Sequence, residues 1–273
     1  MYISMYIEDE WSKLKKVILG SPQKYLKYNK SEKQNKIEKD VLKEIQDIME
    51  EKNIKVIQPK YIKDLDITES LWVRDSSIVI DNQFILMQLQ DDYNKRKLEY
   101  KTVNLYKNIT QKNIKIKIEG GDIIQMNNVI FIGIHKRTNI LGYRWLKQLL
   151  PNKRIIKINH TALHLDCCFS ILPNKMILYS KKYIEKLPYF CYKNFRCLNI
   201  DDIISGDTNL STNFLFLDTN TILVDNQYRF KNVRKLLKKL GFEIIIINLK
   251  NMWKYGGSIR CLTQPLIRNY NQN

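Results

Sequence analysis

The chain has 273 residues, 44% of them apolar, and a formal net charge of +18. That is enough apolar chain for a substantial core, but the longest apolar runs, Glu243 to Leu249 and Asn128 to Ile134, are far too short to cross a bilayer. The lysines are spread along the whole length, with no arginine-rich cluster, zinc-finger pattern or aromatic RNA-binding strand, so the charge reads as solvated faces and nucleic acid is not an expected partner.

Five cysteines, two of them adjacent at Cys167 and Cys168, do not form a disulfide framework, and no C-x-x-C pair is present. With only His135, His160 and His164 alongside them, a dedicated metal centre is not expected, and neither is a cofactor. Glu8, Asp9 and Glu10 arrive too early for a secretory signal, so a cytoplasmic location is expected. Assembly into a homo-oligomer stays open.

In chain order, "KLKKVILG" (Lys13 to Gly20) reads as a strand. Glu32 to Lys52 carries Ile37, Val41, Ile45, Ile48 and Met49 at the three-to-four spacing of an amphipathic helix, and "IKVIQP" follows as a strand. Four hairpin patterns then run from Asp75, Asp122, Asp166 and Asn213, each a strand, a turn containing Asn or Asp, and a second strand. Helical patterns lie between them at Ile140 to Pro151 and in "NVRKLLKKLGF", where Gly241 is placed to end the helix in a left-handed cap. The strands "KRIIKI" and "FEIIIINL" follow these two helices.

Aligned on their leading polar residue, the hairpins and the final "CLTQPLI" from Cys261 recur at steps of 47, 44, 47 and 48 residues. The repeating unit is β-hairpin, helix, strand. The fifth copy has only one strand after Cys261, and Lys13 to Gly20 supplies an unpaired one. Pairing the two closes a ring and removes its exposed edges. The expected fold is therefore α/β, a five-bladed αβ-propeller with pseudo-fivefold repeats closed by the N- and C-terminal strands, forming one domain over residues 1–273.

In such a ring the hairpins start near the axis, which brings Asp75, Asp122, Asp166, Asn213 and Cys261 to one end of a central channel. Arg74, Glu119, His164 and Arg260 are close to them in sequence. A thiol, an imidazole and several carboxylates in one pocket suit nucleophilic catalysis on a cationic substrate. The glycine pair in "GGSIRCLT" lets the backbone turn tightly, the last strand presents Cys261, and alternation along it sends Arg260 to the opposite face as a structural residue. The alternation in "HLD" likewise puts His164 and Asp166 on one side of a strand.

The motifs "EWSKLKKVILGSP", "WVRDSS", "IEGGD", "KRTN", "HLDCCF" and "GGSIRCLT", spanning Glu10 to Leu266, resemble the pentein superfamily of guanidino-group-modifying enzymes. Its members include arginine deiminase, agmatine deiminase, dimethylargininase and the amidinotransferases. The resemblance implies an arginine-like small-molecule substrate attacked at its guanidinium carbon by Cys261, with a covalent thiouronium intermediate. It implies His164 as the acid and base and Glu119 as its acidic partner. Asp75 and Asp166 would grip the guanidinium through its planar N–H groups, and Arg137 would hold the substrate's carboxylate.

Taken singly, each residue has a plainer reading: Cys261 as a small buried hydrophobe, His164 as a core histidine, Asp75 as a surface partner of Arg74, Arg137 as a solvated cation. Asp122 reads equally as a turn carboxylate. The other cysteines, Cys167, Cys168, Cys191 and Cys197, read as structural.

Two reactions are open to such a site. Hydrolysis of the deiminase or dihydrolase type leads, because the chain lacks the long insertions of the larger transferases. The alternative is amidino transfer to an acceptor amine, with which the opening "EWSKLKKVI" has some resemblance. A third reading, a non-catalytic ring that binds ribosomes, suits the +18 charge but gives no reason for the reactive set.

Overall fold

The computed structural model describes residues 5–21, 32–59, 70–89, 96–103 and 115–269. Pro22 of the first motif and the tail 270–273 lie outside them.

Strand β1 (Leu14–Leu19) leads to helix α1 (Glu32–Glu51) and strand β2 (Lys55–Ile57). Leu42, Ile45 and Met49 form the buried stripe of α1, with Val41 and Ile48 packed at its margin. The first hairpin is β3 (Ser77–Ile80) with β4 (Gln83–Leu86), followed by the short helix α2 (Tyr100–Val103). Next come β5 (Ile123–Met126), β6 (Val129–Ile134), helix α3 (Ile140–Leu149) and β7 (Arg154–Asn159). The third copy is β8 (Phe169–Leu172), β9 (Met176–Tyr179), α4 (Tyr189–Asn194) and β10 (Arg196–Asn199). The fourth is β11 (Leu215–Phe216), β12 (Thr221–Asp225), α5 (Lys231–Lys239) and β13 (Glu243–Ile247), and β14 (Thr263–Arg268) ends the order.

The strands form small separate sheets with one recurring plan. In β5-β6-β7, β8-β9-β10 and β11-β12-β13, an antiparallel hairpin carries a third strand parallel to its second. The sheet β14-β1-β2 has the same plan, its antiparallel pair drawn from opposite ends of the described chain: Thr263 faces Leu19 and Arg268 faces Leu14. The sheet β3-β4 has two strands among the described residues.

Local chemistry explains the turns. Asp81 and Asn127 take positive φ (51° and 52°) at the hairpin tips, a conformation that Asn and Asp tolerate best among residues with a side chain. Asp218 instead binds the N–H groups of Asn220 and Thr221 with its side chain. Asn139 caps α3 by accepting from Gly142 N. After α5, Gly241 stands at φ +94°, Gly241 N donates to Lys238 O, and Phe242 N donates to Leu237 O, the paired bonds of a Schellman cap.

Two features place the site. Asp75, Asp122, Asp166, Asn213 and Cys261 all lie in turns that lead directly into a strand of a different sheet. Beneath those turns, the segment before β1 crosses several sheets: Ile7 pairs with Asp81, and Asp9 with Met126. It carries Glu10 into a buried charged cluster, where Arg260 Nη1 and Nη2 donate to Glu10 at 2.6 and 3.0 Å and Arg74 Nη2 lies 3.6 Å away. Burial opposes the Glu10 charge, but Arg260 and Arg74 outweigh it and hold the carboxyl at about 2.

Candidate active site

The reactive side chains come from separate turns. Glu119 has extended backbone and ends just before the 3-10 turn of Gly120 to Asp122. That turn packs so closely that a Cβ on Gly120 would lie 2.1 Å from Arg74 O, and one on Gly121 would lie 2.7 Å from the His164 ring. Only glycine admits these approaches.

His164 is also extended, and residues Leu165 to Cys167 then form a second 3-10 turn. The expectation of strand alternation at "HLD" is therefore corrected: a turn, not a strand, carries Asp166 after His164. Cys261 sits in a turn as well, since β14 starts only at Thr263. Arg260 points away from the cavity because Glu10 holds its guanidinium, not because of strand alternation. The glycine pair ahead of it stands at φ +69° (Gly256) and +90° (Gly257), which supports the expected tight turn.

A cavity of about 360 Å3 opens over these turns. Asp75, His164, Arg137 and Cys261 line it, together with Arg96, Glu99, Trp72, Leu163 and Tyr255. Glu119 lies behind His164, fully enclosed, with its Oε2 2.8 Å from His164 Nε2. On its other side His164 Nδ1 is 3.7 Å from Asp75 Oδ1. Asp166 has no exposed surface and does not line the cavity; its Oδ2 is 3.3 Å from Arg260 Nε.

The charges act on one another strongly because water is largely excluded. Burial disfavours a protonated His164, but Asp75, the Glu119 hydrogen bond and Asp122 outweigh it and raise the imidazole to about 10. Burial pushes Asp75 up to about 6, reinforced by Glu119 and opposed by His164 and Arg96. Glu119 is driven the other way, to about 2, because His164 and Arg96 overcome its burial. The Cys261 thiol is held well above its ordinary value by burial and then by the negative charges of Asp166 and Asp75.

Arg96 and Glu99 were not found from sequence. Arg96 Nη1 donates to Glu119 Oε1 at 2.5 Å, its Nε and Nη2 bind Glu99, and Nη2 lies 3.6 Å from Asp75 Oδ2. Burial works against the Arg96 cation, but Glu119 and Glu99 outweigh it and keep it charged. The available signal was an Arg and a Glu three residues apart on one helical face, inside a lysine-rich run that looks like solvated surface. Arg137 Nη1 also reaches Glu119, at 3.4 Å.

Donor atoms of Asp75, Glu119 and His164 lie within 4.8 Å of one another, close enough to hold a cation. The His164 to Glu119 hydrogen bond and the Arg96 contacts already engage that set, which suits it to proton transfer.

Known proteins agree with this architecture. The arginine deiminase family model matches residues 23–199, so the chain belongs to the arginine deiminase family, within the pentein superfamily. The matched span holds Asp75, Glu119, Arg137, His164 and Asp166 and stops short of Cys261.

Among curated proteins, the chain is 34% identical over 154 residues to the uncharacterized protein YkgA of Bacillus subtilis (strain 168), a stretch covering 55% of this chain and 52% of that protein. The chain thus spans about half the length of that relative. Among solved structures, SxtG, an amidinotransferase of the saxitoxin biosynthetic pathway from Microseira wollei, superposes with a TM-score of 0.78 at 19% identity over 99% of both chains. DDAH from Pseudomonas aeruginosa, solved in complex with citrulline, superposes with a TM-score of 0.68 at 14% identity over 93% of this chain and 100% of its own.

Among the described residues, no helix is long and apolar enough to cross a membrane.

Proposed function

We propose that this protein is a cysteine-dependent enzyme that attacks the guanidinium carbon of arginine or a related guanidino compound, and that its sheets are the blades of a five-bladed αβ-propeller. The observation that carries the reading is the meeting of the Cys261 thiol, the His164–Glu119 pair and Asp75 at one cavity, from turns far apart in sequence.

The charge pattern suits a cationic substrate. The guanidinium binds Asp75 directly, while the enclosed Asp166 adds its negative charge from below. Arg137 holds the carboxylate of an amino-acid substrate. The buried thiol is mostly protonated in the free protein, because Asp75 and Asp166 disfavour a third negative charge beside them. A bound cation neutralises those carboxylates and so favours the thiolate, the Cys261 proton passing to solvent at the open cavity.

The thiolate's electron pair forms a bond to the guanidinium carbon, and His164 gives its proton to the departing amine as the C–N bond breaks. A thiouronium remains on Cys261. In the hydrolytic reading water attacks that carbon, His164 takes one of its protons, and the S–C bond breaks to restore the thiolate and release a ureido product, the second water proton passing to the freed amine or to solvent. Glu119 keeps the imidazole oriented through both transfers and favours its return to the protonated form.

Amidino transfer is the second reading, favoured by the likeness to SxtG. It differs only in the nucleophile that resolves the thiouronium, an amine in place of water.

Intact-mass measurement after an acid quench tests both. Wild type mixed with L-arginine or agmatine gains a small mass on the Cys261 peptide, and Cys261→Ser does not. Chase by water alone or only by an added amine assigns the reaction. A broad guanidino panel that yields neither adduct nor product from folded protein would overturn the enzymatic reading.

A further inference from the structure

Asn213 holds, ahead of the fourth sheet, the position that Asp75, Asp122 and Asp166 hold ahead of three others, and the mechanism above gives it no part. It is 2% exposed, and its own N–H is fixed to Leu210 O at 3.1 Å. Its Oδ1 accepts from Arg260 N at 3.1 Å and Cys261 N at 3.4 Å. Two converging N–H donors need an oxygen facing them, which settles the orientation of the amide. Its Nδ2 is thereby directed at Cys261 Sγ, 3.2 Å away.

We propose that Asn213 is a further catalytic residue, whose Nδ2–H stabilises the Cys261 thiolate while its Oδ1 fixes the turn that carries it. This rests on the reading of Cys261 as the nucleophile. The amide is the side chain that fits there. A carboxylate would keep the acceptor for the two backbone N–H groups but would add negative charge beside a sulfur already facing Asp75 and Asp166. Cys167, His164 and Arg260, with Arg96, Glu99 and Arg137 on the walls of the same cavity, are the other charged and titratable groups around that sulfur. Asp166 lies against Arg260, and Asp122 against His160 and Leu165 N, whereas the leading position within hydrogen-bond reach of the sulfur carries the neutral amide.

The hydrogen stays on Nδ2 throughout. The sulfur pair that bonds to the guanidinium carbon weakens the N–H···S contact as it leaves, and the contact strengthens again when the sulfur is displaced. Because a thiol with a high pKa is limited by its thiolate fraction, stabilising the anion raises the rate of attack despite a modest loss of nucleophilicity.

The test uses the full chain and iodoacetamide, with Cys261 carbamidomethylation followed against pH by peptide-resolved mass spectrometry. Asn213→Asp, which keeps the oxygen clamp, should raise the apparent Cys261 pKa by about one unit and slow alkylation roughly tenfold at a fixed pH. Asn213→Ser, a small neutral substitute that serves if the aspartate variant fails to fold, should raise it by less. An unchanged profile in folded Asn213→Ser, which adds no charge of its own, overturns the proposal, and so does a shift confined to Asn213→Asp, because a new carboxylate acts on the thiol whatever the amide does. Alkylation needs no guanidino substrate, so a shifted profile without any guanidino turnover removes only the functional reading.

Discussion

His164 Nε2 and Glu119 Oε2 lie 2.8 Å apart inside a protein wall that leaves the carboxylate no exposed surface. The pair shares one charge balance: Glu119 helps hold the imidazole protonated near neutral pH, and His164 helps hold the carboxyl ionised. Glu119→Gln keeps the shape and removes the charge. His164 should then titrate below its value of about 10, and kcat should fall roughly 100-fold, within the range of general acid–base effects. An NMR titration of the His164 ring in both proteins checks the first outcome, and steady-state kinetics the second.

On the proposed mechanism the pH profile of kcat/KM rises with pH as Cys261 gives up its proton and carries in addition the signatures of two further groups of the free enzyme. Asp75, raised to about 6, must be ionised to hold a guanidinium, so activity falls as pH drops through that value. His164, raised to about 10, must be protonated to serve the leaving amine, so activity falls again as pH rises through that value. Asp75→Asn should abolish the acid limb and cost about 2–3 kcal/mol in binding, or roughly 30- to 150-fold in KM. An acid limb that survives in Asp75→Asn would assign it to another group.

Gly121→Ala places a methyl group 2.7 Å from the His164 ring. The ring must move, and misplacement of about 1 Å is enough to cost roughly 100-fold in kcat. Overpacking of this kind costs about 1–3 kcal/mol of stability, so the variant should remain folded while losing turnover. Thermal melting read beside kcat separates the two effects.

Glu10→Gln leaves the buried Arg260 guanidinium without its bidentate partner and should destabilise the fold by about 3–5 kcal/mol. The Glu10 carboxyl is lowered from 4.5 to about 2 in the fold, so its contribution is complete above pH 4.5 and is lost as pH falls through 2. Urea unfolding across that window should show the wild type losing stability faster than Glu10→Gln.

Much of the fold could be read in the chain because periodic signals are local. The recurring step, the Asn and Asp turns, and the left-handed Gly241 cap all follow from backbone preferences that neighbouring residues set. The pairing of β1 with β14 was legible too, since each lacked a partner nearby. What local pattern could not supply was tertiary burial. Asp166 looked equivalent to Asp75, yet the turn after His164 carries it under the cavity and against Arg260. Arg96 looked like one basic residue in a lysine run, and only the fold shows Glu119 and Asp75 meeting it. Asn213 stood out as a repeat position, but its chemistry depends on a sulfur at residue 261.

The pairing of residues 263–268 with residues 14–19 also bears on when the site comes into being. Contacts between such distant segments are entropically costly to close and tend to form late in folding. Cys261 sits two residues ahead of that late strand, so the turn that seats its sulfur is completed only when nearly everything else is in place. A refolding chain should therefore regain native-like helices well before it regains thiol chemistry at residue 261. A partly folded chain thus carries the Cys261 thiol without the surrounding groups that the proposed reaction needs.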